Sequence, residues 1–335
     1  MKIRTRIYML LFLIAVIAAP IGAFGEAPAD APAHMDNNRI YIRLVEKIAD
    51  NVDTVSDRVA SALAANGWTV AGSFTPTLPD KCKYKTKVLI IHNEAYWQKI
   101  FEVSPNAKFV YPLKVNVFSN EGGTSISLVN PVALNRMIAP ELETFSVETL
   151  KKLAGVFQGA VSGKNVATEE GTLLDGNRVS GIGGGVLEDN IVKVYTGKYK
   201  TEKLMSSVIK QMHYTIGRNN KGFSLVYTID MRDKGIMFFG ITKKELEKTA
   251  FTITSENRLT NRNSCPGIDH ANAFPMEVVV DATGKSVKVE TLRVMFRMKA
   301  YFGDTGEMAF VKHYLMPGHI EDEIVYITYP DLIQQ

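Results

Sequence analysis

The sequence predicts an α+β protein of two repeated units, each a mainly antiparallel sheet packed on helices. Three observations carry that prediction. The stretch FVYPLKVNVF, Phe109 to Phe118, returns as AFPMEVVVDA, Ala273 to Ala282, each an aromatic-Pro-apolar start followed by an alternating valine strand and a glycine turn. The elements around the two stretches follow one order: helix, strand, strand, short helix, Pro-led strand, hairpin, strand. At 335 residues the chain is long enough for two domains with a core each.

In the first half, TVSDRVASALAANGWTV places Val55, Val59, Ala62 and Leu63 on one helical stripe, with Asp53 or Thr54 as N-cap and Asn66-Gly67 as the stop. TVAGSF reads as a short strand and Val88 to Ile91 as a buried one. EAYWQKIFEV is a short helix that packs through Tyr96, Trp97 and Ile100. Next comes the Pro-led strand, with Leu113, Val115 and Val117 on one face and Lys114 and Asn116 on the other. The turn SNEGGTS returns the chain into ISLVNP. Helical stretches follow near Val132–Met137 and Val147–Phe157.

The second half repeats this order. TEKLMSSVIKQMHYTIG is a helix capped by Thr201; FSLVYTIDM and GIMFFGI are strands; TKKELEKTAF is a helix with Thr242 and Glu245 in capping-box spacing. Pro112 and Pro275 head equivalent strands, where a proline removes no ladder donor. The repeat distance is 163 residues at these prolines and 148 at the preceding strands. The difference of 15 falls in a polar loop, roughly Ser255 to His270, that contains Cys265.

The N-terminus carries Lys2, Arg4 and Arg6 before an apolar run from Ile7 to Ala19, then Pro20 and small residues at Ala23 and Gly25. This is the pattern of a cleaved secretory leader over residues 1–25, and it predicts a periplasmic or secreted protein with no stable membrane insertion. Residues 26–38, rich in Ala and Pro, read as a disordered mature N-terminus. The formal net charge is +4, and loss of the leader leaves about +1, which gives no electrostatic footprint for nucleic acid. Residues 39–161 and 191–335 are the two units. Seven glycines between Gly163 and Gly185 make 162–190 read as a linker with little regular structure. Its GxGGG run lacks the Lys-Ser/Thr of a phosphate loop, and no cofactor motif is read elsewhere.

NVDTVSDRVASALAANGWTV, then VLIIHN, then YPLKVNVFSNEGGTSISLVNP together resemble the DUF302 family, a domain of unknown function. The resemblance rests on Gly67-Trp68, Asn93, Tyr111-Pro112-Leu113 and Asn130-Pro131, and covers about 100 residues of the first half. The second half keeps Phe274-Pro275-Met276 but has Gly240 where the family has Asn, and lacks the closing Asn-Pro. The resemblance implies a compact α+β fold and pairing of single-domain members as homodimers. A tandem would then be a monomer with an intramolecular pseudo-dimer, or a homodimer. No catalytic residue is carried over.

The residues leave several functional readings open. Asn93, Tyr111, Asn130 and Phe274 are candidates for a small-molecule site between helix and sheet or at the repeat interface; Asn93, after His92, equally suits an Asx cap on the helix that begins at Glu94. Met205, Met212, Met237, Met276, Met295 and Met298 fall mostly on apolar faces, as adaptable core or as the lining of a cleft for an apolar ligand. Cys82 and Cys265 are candidates for a disulfide in an oxidising compartment. Cys265 and His270 together suit a hydrolase or redox enzyme if the thiol is free. His313, Met316 and His319 carry ligand types that copper accepts, although HYLMPGHIEDE also reads as strand and turn. The favoured reading is a non-enzymatic binding or interaction protein of the cell envelope.

Overall fold

The computed structural model of the chain describes residues 37–198, 200–257, 265, 267–306, 311, 313 and 315–328. The leader expected over 1–25 and most of the expected mature N-terminus lie outside these residues. Asn37 and Asn38 are described and are tied down: their backbone N–H groups donate to Glu169 at 2.7 and 3.2 Å.

The first unit runs β1 (Arg39–Ile48), α1 (Val52–Ala65), β2 (Thr69–Phe74), β3 (Thr86–His92), α2 (Glu94–Val103), a 3₁₀ turn (Pro105–Phe109), β4 (Leu113–Asn120), β5 (Gly123–Val129), α3 (Pro131–Arg136) and α4 (Glu143–Ala160). The chain then forms β6 (Lys164–Asp175) and two short strands, β7 (Arg178–Val179) and β8 (Gly185–Val186). The second unit runs β9 (Ile191–Thr196), α5 (Glu202–Gly217), β10 (Phe223–Met231), β11 (Ile236–Lys243), α6 (Lys244–Asn257), a 3₁₀ turn (Ile268–Ala273), β12 (Met276–Asp281), β13 (Lys288–Leu292), α7 (Val294–Phe302) and α8 (Met316–Thr328).

The sheets have the orders β2-β3-β4-β5-β1-β6-β7-β8 and β10-β11-β12-β13-β9, with antiparallel pairing throughout. The second order reproduces the first five positions of the first. Both Tyr111-Pro112 and Phe274-Pro275 are cis, and each proline immediately precedes its strand. The fold class read from the sequence is the one observed.

Local chemistry explains four of the helix starts. Asn51, Asn93, Asn130 and Thr201 cap α1, α2, α3 and α5 by accepting from backbone N–H groups that the helices leave unpaired. The cap of α1 is therefore Asn51, not Asp53 or Thr54. The capping box expected at Thr242 and Glu245 does not form, because Thr242 belongs to β11 and its hydroxyl bonds Glu247 instead.

Three other expectations need correction. The segment expected as an unstructured linker contains β6, twelve residues long, whose polar side chains pair across to β1, as Glu170 does with Arg43. Its glycines cluster after the strand, so composition averaged over 162–190 hid it. β1 and β9 were not read at all, although β1 sits between β5 and β6 in its sheet. The strand and turn expected in HYLMPGHIEDE give way from Met316 onward to α8.

The units bury their second sheet faces against each other. Leu113, Val115 and Val117 lie on the face that α1 covers, while Lys114 and Asn116 are also buried, at 2% and 0% exposure. Asn116 donates to Ile268 O at 2.9 Å, so the second unit's 3₁₀ turn covers β4. In exchange, Lys108 from the first unit's turn reaches Asp281 and, at 2.6 Å, Glu290 on the second sheet. Other contacts are exchanged in the same way. Glu94 of α2 pairs with Lys234 in the β10–β11 turn; Lys248 of α6 pairs at 2.8 Å with Asp80 in the β2–β3 connection. At the meeting of edge strands β2 and β10, a Cβ on Gly72 would lie 2.8 Å from Tyr227 Cβ, so only glycine allows that approach.

Cys82 and Cys265 are joined, and no cysteine is free. The bridge ties the β2–β3 connection to the segment before the second turn, across 183 residues of sequence. Mass spectrometry of the unreduced, denatured protein is expected to find no free thiol. Reduction is expected to lower stability by up to about 5 kcal/mol on the chain-entropy argument for so long a loop. Two titratable thiols in unreduced protein contradict the pairing.

Candidate functional site

Where the units meet, the pattern of apolar burial is interrupted by charge. Lys114 on β4 and Glu277 on β12 occupy equivalent positions, each two residues after the cis proline, and pair at 2.6 Å. Arg297 of α7 binds the other Glu277 oxygen at 2.8 Å. Its second nitrogen donates to Ala273 O at 2.9 Å and to Pro275 O at 3.3 Å. Lys114 also donates to Pro275 O at 2.7 Å. Two buried cations thus share one carboxylate. Burial and the Arg297 charge push Lys114 down to about 8, against the pull of Glu277. Every charged atom here is engaged within the protein, so the cluster is an internal clamp rather than a binding surface.

His270 makes a second buried cluster. Its Nδ1 lies 3.1 Å from Asp269 and its Nε2 3.0 Å from Asp304, with the Tyr41 ring at its edge and Phe302 stacked on it. Both nitrogens therefore face acceptors, which holds the ring rather than presenting it to a substrate. Cys265, its expected catalytic partner, has its sulfur in the disulfide. The Cys265–His270 enzyme reading loses its nucleophile, since only a thiolate attacks.

The four expected ligand residues do not converge. Asn93 caps α2 by accepting from Tyr96 N at 2.7 Å and donates to Gly67 O at 2.7 Å. Tyr111 is 1% exposed and packs against Tyr96, Trp97 and Phe238, with its hydroxyl on His92 and on Asn93 N. Burial pushes its phenol far above the ordinary value. Asn130 caps α3 and holds Arg39 O. These three serve the fold, two as helix caps and Tyr111 within a cluster of aromatic rings. Phe274 alone faces a cavity.

That cavity lies in the second unit between α6, α7, α8 and the head of β12. Its walls include Leu246, Ala250 and Ile253 of α6, Met276 of β12, Met298 of α7 and Met316 of α8. Its volume is about 40 Å³. A single water needs only about 15 Å³, yet also needs two or more polar partners. At most one is offered, the Tyr301 hydroxyl: the Arg297 guanidinium is committed to Glu277 and two carbonyls, and the Thr305 hydroxyl to Phe302 O. The rest of the lining is apolar.

The same layer of the first unit is filled. There Tyr96 and Trp97 of α2 meet Tyr111, and Phe145, near the start of α4, stacks on Tyr96 at 5.7 Å. The second unit has Leu246 and Ala250 on α6 and Met316 at the start of α8 around its cavity, together with Phe274, Tyr301 and Phe302. Of the six methionines singled out from the sequence, Met276 and Met298 line the cavity; Met205, Met212, Met237 and Met295 are packed in the core. The α6 residues were missed, because one Ala and one Leu on a helical stripe look the same over a cavity as over a core.

Outside, an open groove is lined by Lys243, Glu245, Thr249, His319 and Glu323, with Leu246 and Met316 shared with the cavity. His313, Met316 and His319 do lie around this groove. Among the described residues, no three His, Cys, Asp or Glu side chains are grouped to hold a metal ion. Nor, among those residues, is any helix long and apolar enough to cross a membrane.

The DUF302 family, a domain of unknown function, matches residues 45–160, which run from within β1 to the end of α4. Among solved structures the chain is similar to an uncharacterized conserved DUF302 protein from Bacillus stearothermophilus, at 17% identity and a TM-score of 0.33. That match covers 37% of this chain and 98% of the other. No curated protein matches the chain.

The clamp makes opposite predictions for its two ends. Glu277→Gln leaves Lys114 and Arg297 buried without a counter-charge and is expected to cost about 3–5 kcal/mol in urea unfolding. Lys114→Met leaves a matched Arg297–Glu277 pair and is expected to cost less than about 1 kcal/mol. Because folding lowers the Lys114 pKa, the unfolded chain binds more protons from about pH 8 to 10. Stability from this group is therefore expected to rise with pH across that window, and Lys114→Met to flatten the rise. Equal losses for both variants contradict the arrangement.

Proposed function

We propose that this is an exported, non-enzymatic binding protein of the cell envelope. In this reading two DUF302-type units form an intramolecular pseudo-dimer, and the second unit holds a small apolar ligand. The observation that carries the proposal is the mainly apolar cavity beside Phe274, where the first unit's helix–sheet layer is closed by stacked aromatic rings. Evenly packed interiors leave few voids of this kind, and an apolar void binds apolar molecules. Three unbranched methionines in the wall can swing to enlarge it.

The exchanged contacts support the pseudo-dimer. In a symmetric homodimer a residue on the two-fold axis meets its own copy. The positions of Lys114 and Glu277 meet in that manner, and two lysines there would repel. Duplication lets the axis carry an ion pair, so the pairing is between unlike units of one chain. The disulfide supports export, since such bridges persist in oxidising compartments.

Titration with toluene, followed by methyl NMR, is expected to give saturable shifts at Met276, Met298 and Ala250. A hundredfold excess over Kd is expected to stabilise the fold by about 2.7 kcal/mol. Ala250→Leu is expected to abolish the shifts without lowering Tm, because it fills the void. Absence of saturable shifts in the wild-type protein overturns the proposal.

A further inference from the structure

We propose that a polar pocket between the two units is a site for a small zwitterion, a molecule with a primary ammonium at one end and a carboxylate at the other. The pocket is separate from the apolar cavity: no residue lines both. It lies where the first unit's 3₁₀ turn, through Asn106 and Lys108, meets β9, β12 and β13 of the second unit. Its volume is about 410 Å³, within the range of small-molecule sites.

The charges at this junction are unevenly matched. In the second sheet Asp281 stands opposite Lys288, and Glu290 opposite Lys193. Directly opposed residues point to the same face, close enough to pair. Neither cross-strand pair forms, because Lys108 of the first unit takes both carboxylates. Lys193 and Lys288 are left without an ion pair or hydrogen bond among the described residues. Asp281 is fully engaged: Oδ1 accepts from the backbone N–H and hydroxyl of Thr283 at 2.7 and 2.6 Å, and Oδ2 pairs with Lys108. Glu290 is not. It is 3% exposed, Lys108 holds its Oε2, and its Oε1 has no hydrogen-bond partner among the described residues. The first unit has no such row. At the repeat distance of the prolines its counterparts of Asp281, Lys288 and Glu290 are Phe118, Ser125 and Ser127, and its Arg43 is answered by Glu170 on β6. Among the described residues no strand lies beyond β9 to answer Lys193 in that way.

The polarity of the pocket selects the ligand. Its buried end sets the Lys108 ammonium between the Asp281 and Glu290 carboxylates and so carries net negative charge. Lys193, exposed, and Lys288, half-buried, stand nearer the mouth, with Glu188 as the carboxylate of the rim. An ammonium at the buried end meets Glu290 Oε1, and a carboxylate at the mouth meets Lys193 and Lys288. Both contacts are charge-assisted. A simple carboxylate would face the buried negative charge, and a simple amine would leave the two lysines unanswered. The lining charges cancel, three of each sign, which suits a ligand with no net charge. The Asn106 amide and the Ser286 hydroxyl add neutral polar contacts on the walls.

Glycine, β-alanine and 4-aminobutanoate, titrated into the full protein by calorimetry, test this. At least one is expected to bind saturably, at one site per chain. The matched carboxylate without the ammonium and the matched amine without the carboxylate (butanoate and propylamine for 4-aminobutanoate) are each expected to bind at least about tenfold more weakly, since each gives up a charge-assisted contact. Lys193→Gln, at an exposed and unpaired position, is expected to leave Tm unchanged and to weaken zwitterion binding at least about fivefold, while binding of the matched amine does not fall. Ala250→Leu, which fills the apolar cavity, is expected to leave zwitterion binding unaltered. Absence of saturable binding by all three zwitterions overturns the inference, as does zwitterion binding that Lys193→Gln does not weaken. A matched carboxylate that binds as tightly as its zwitterion overturns the ammonium end of the assignment, and an amine that does so overturns the carboxylate end.

Discussion

The fold depends on one constraint: the β4–β12 contact buries both faces of two sheets, and charge must be neutralised where they meet. A sheet whose second face is covered by a partner cannot leave a lysine unanswered, since an isolated buried charge costs far more than one interaction returns. Lys114, Glu277 and Arg297 meet that demand, with backbone carbonyls of Ala273 and Pro275 taking the remaining protons. Lys108 with Asp281 and Glu290 does the same at the first unit's turn, and at the second unit's the His270 ring is held between Asp269 and Asp304. These clusters add specificity more than net stability. They fix which face meets which, because a slipped register would leave each charge without its partner.

The two units share a topology and differ in how they fill it. Trp97, Tyr96, Tyr111 and Phe145 close the helix–sheet gap of the first unit with stacked rings. In the second unit aliphatic side chains and methionines share the helix–sheet layer with Phe274, Tyr301 and Phe302, and a void remains. The first unit's aromatics also reach across to Phe238 of β11. The second unit's outer helix α8 is tied to α7 through the backbone N–H of Val294, which donates to Glu321 at 2.8 Å.

Much of the architecture was legible in the sequence, for identifiable reasons. Period-2 valines and a preceding proline announce β4 and β12 whatever surrounds them, and the spacing of Val55, Val59 and Leu63 announces α1. Strand β6 escaped notice because polar residues paired to a neighbouring strand resemble those of a loop. Asn93 and Asn130 illustrate the limit for sites: an asparagine at a strand end has the same local signature as a cap or as a ligand group, and only its partners distinguish them.

By itself the sequence determined the fold class, the repeated order of elements and the residues that head equivalent strands, since those follow from local periodicity and backbone chemistry. Tertiary structure alone decided that Lys114 faces Glu277, that Cys82 and Cys265 are joined, and that Phe274 borders a void while Tyr111 does not. Each of these is set by which surfaces of distant segments come together. No local pattern records such a meeting, because the groups involved lie more than 150 residues apart or differ only in the volume their neighbours leave empty.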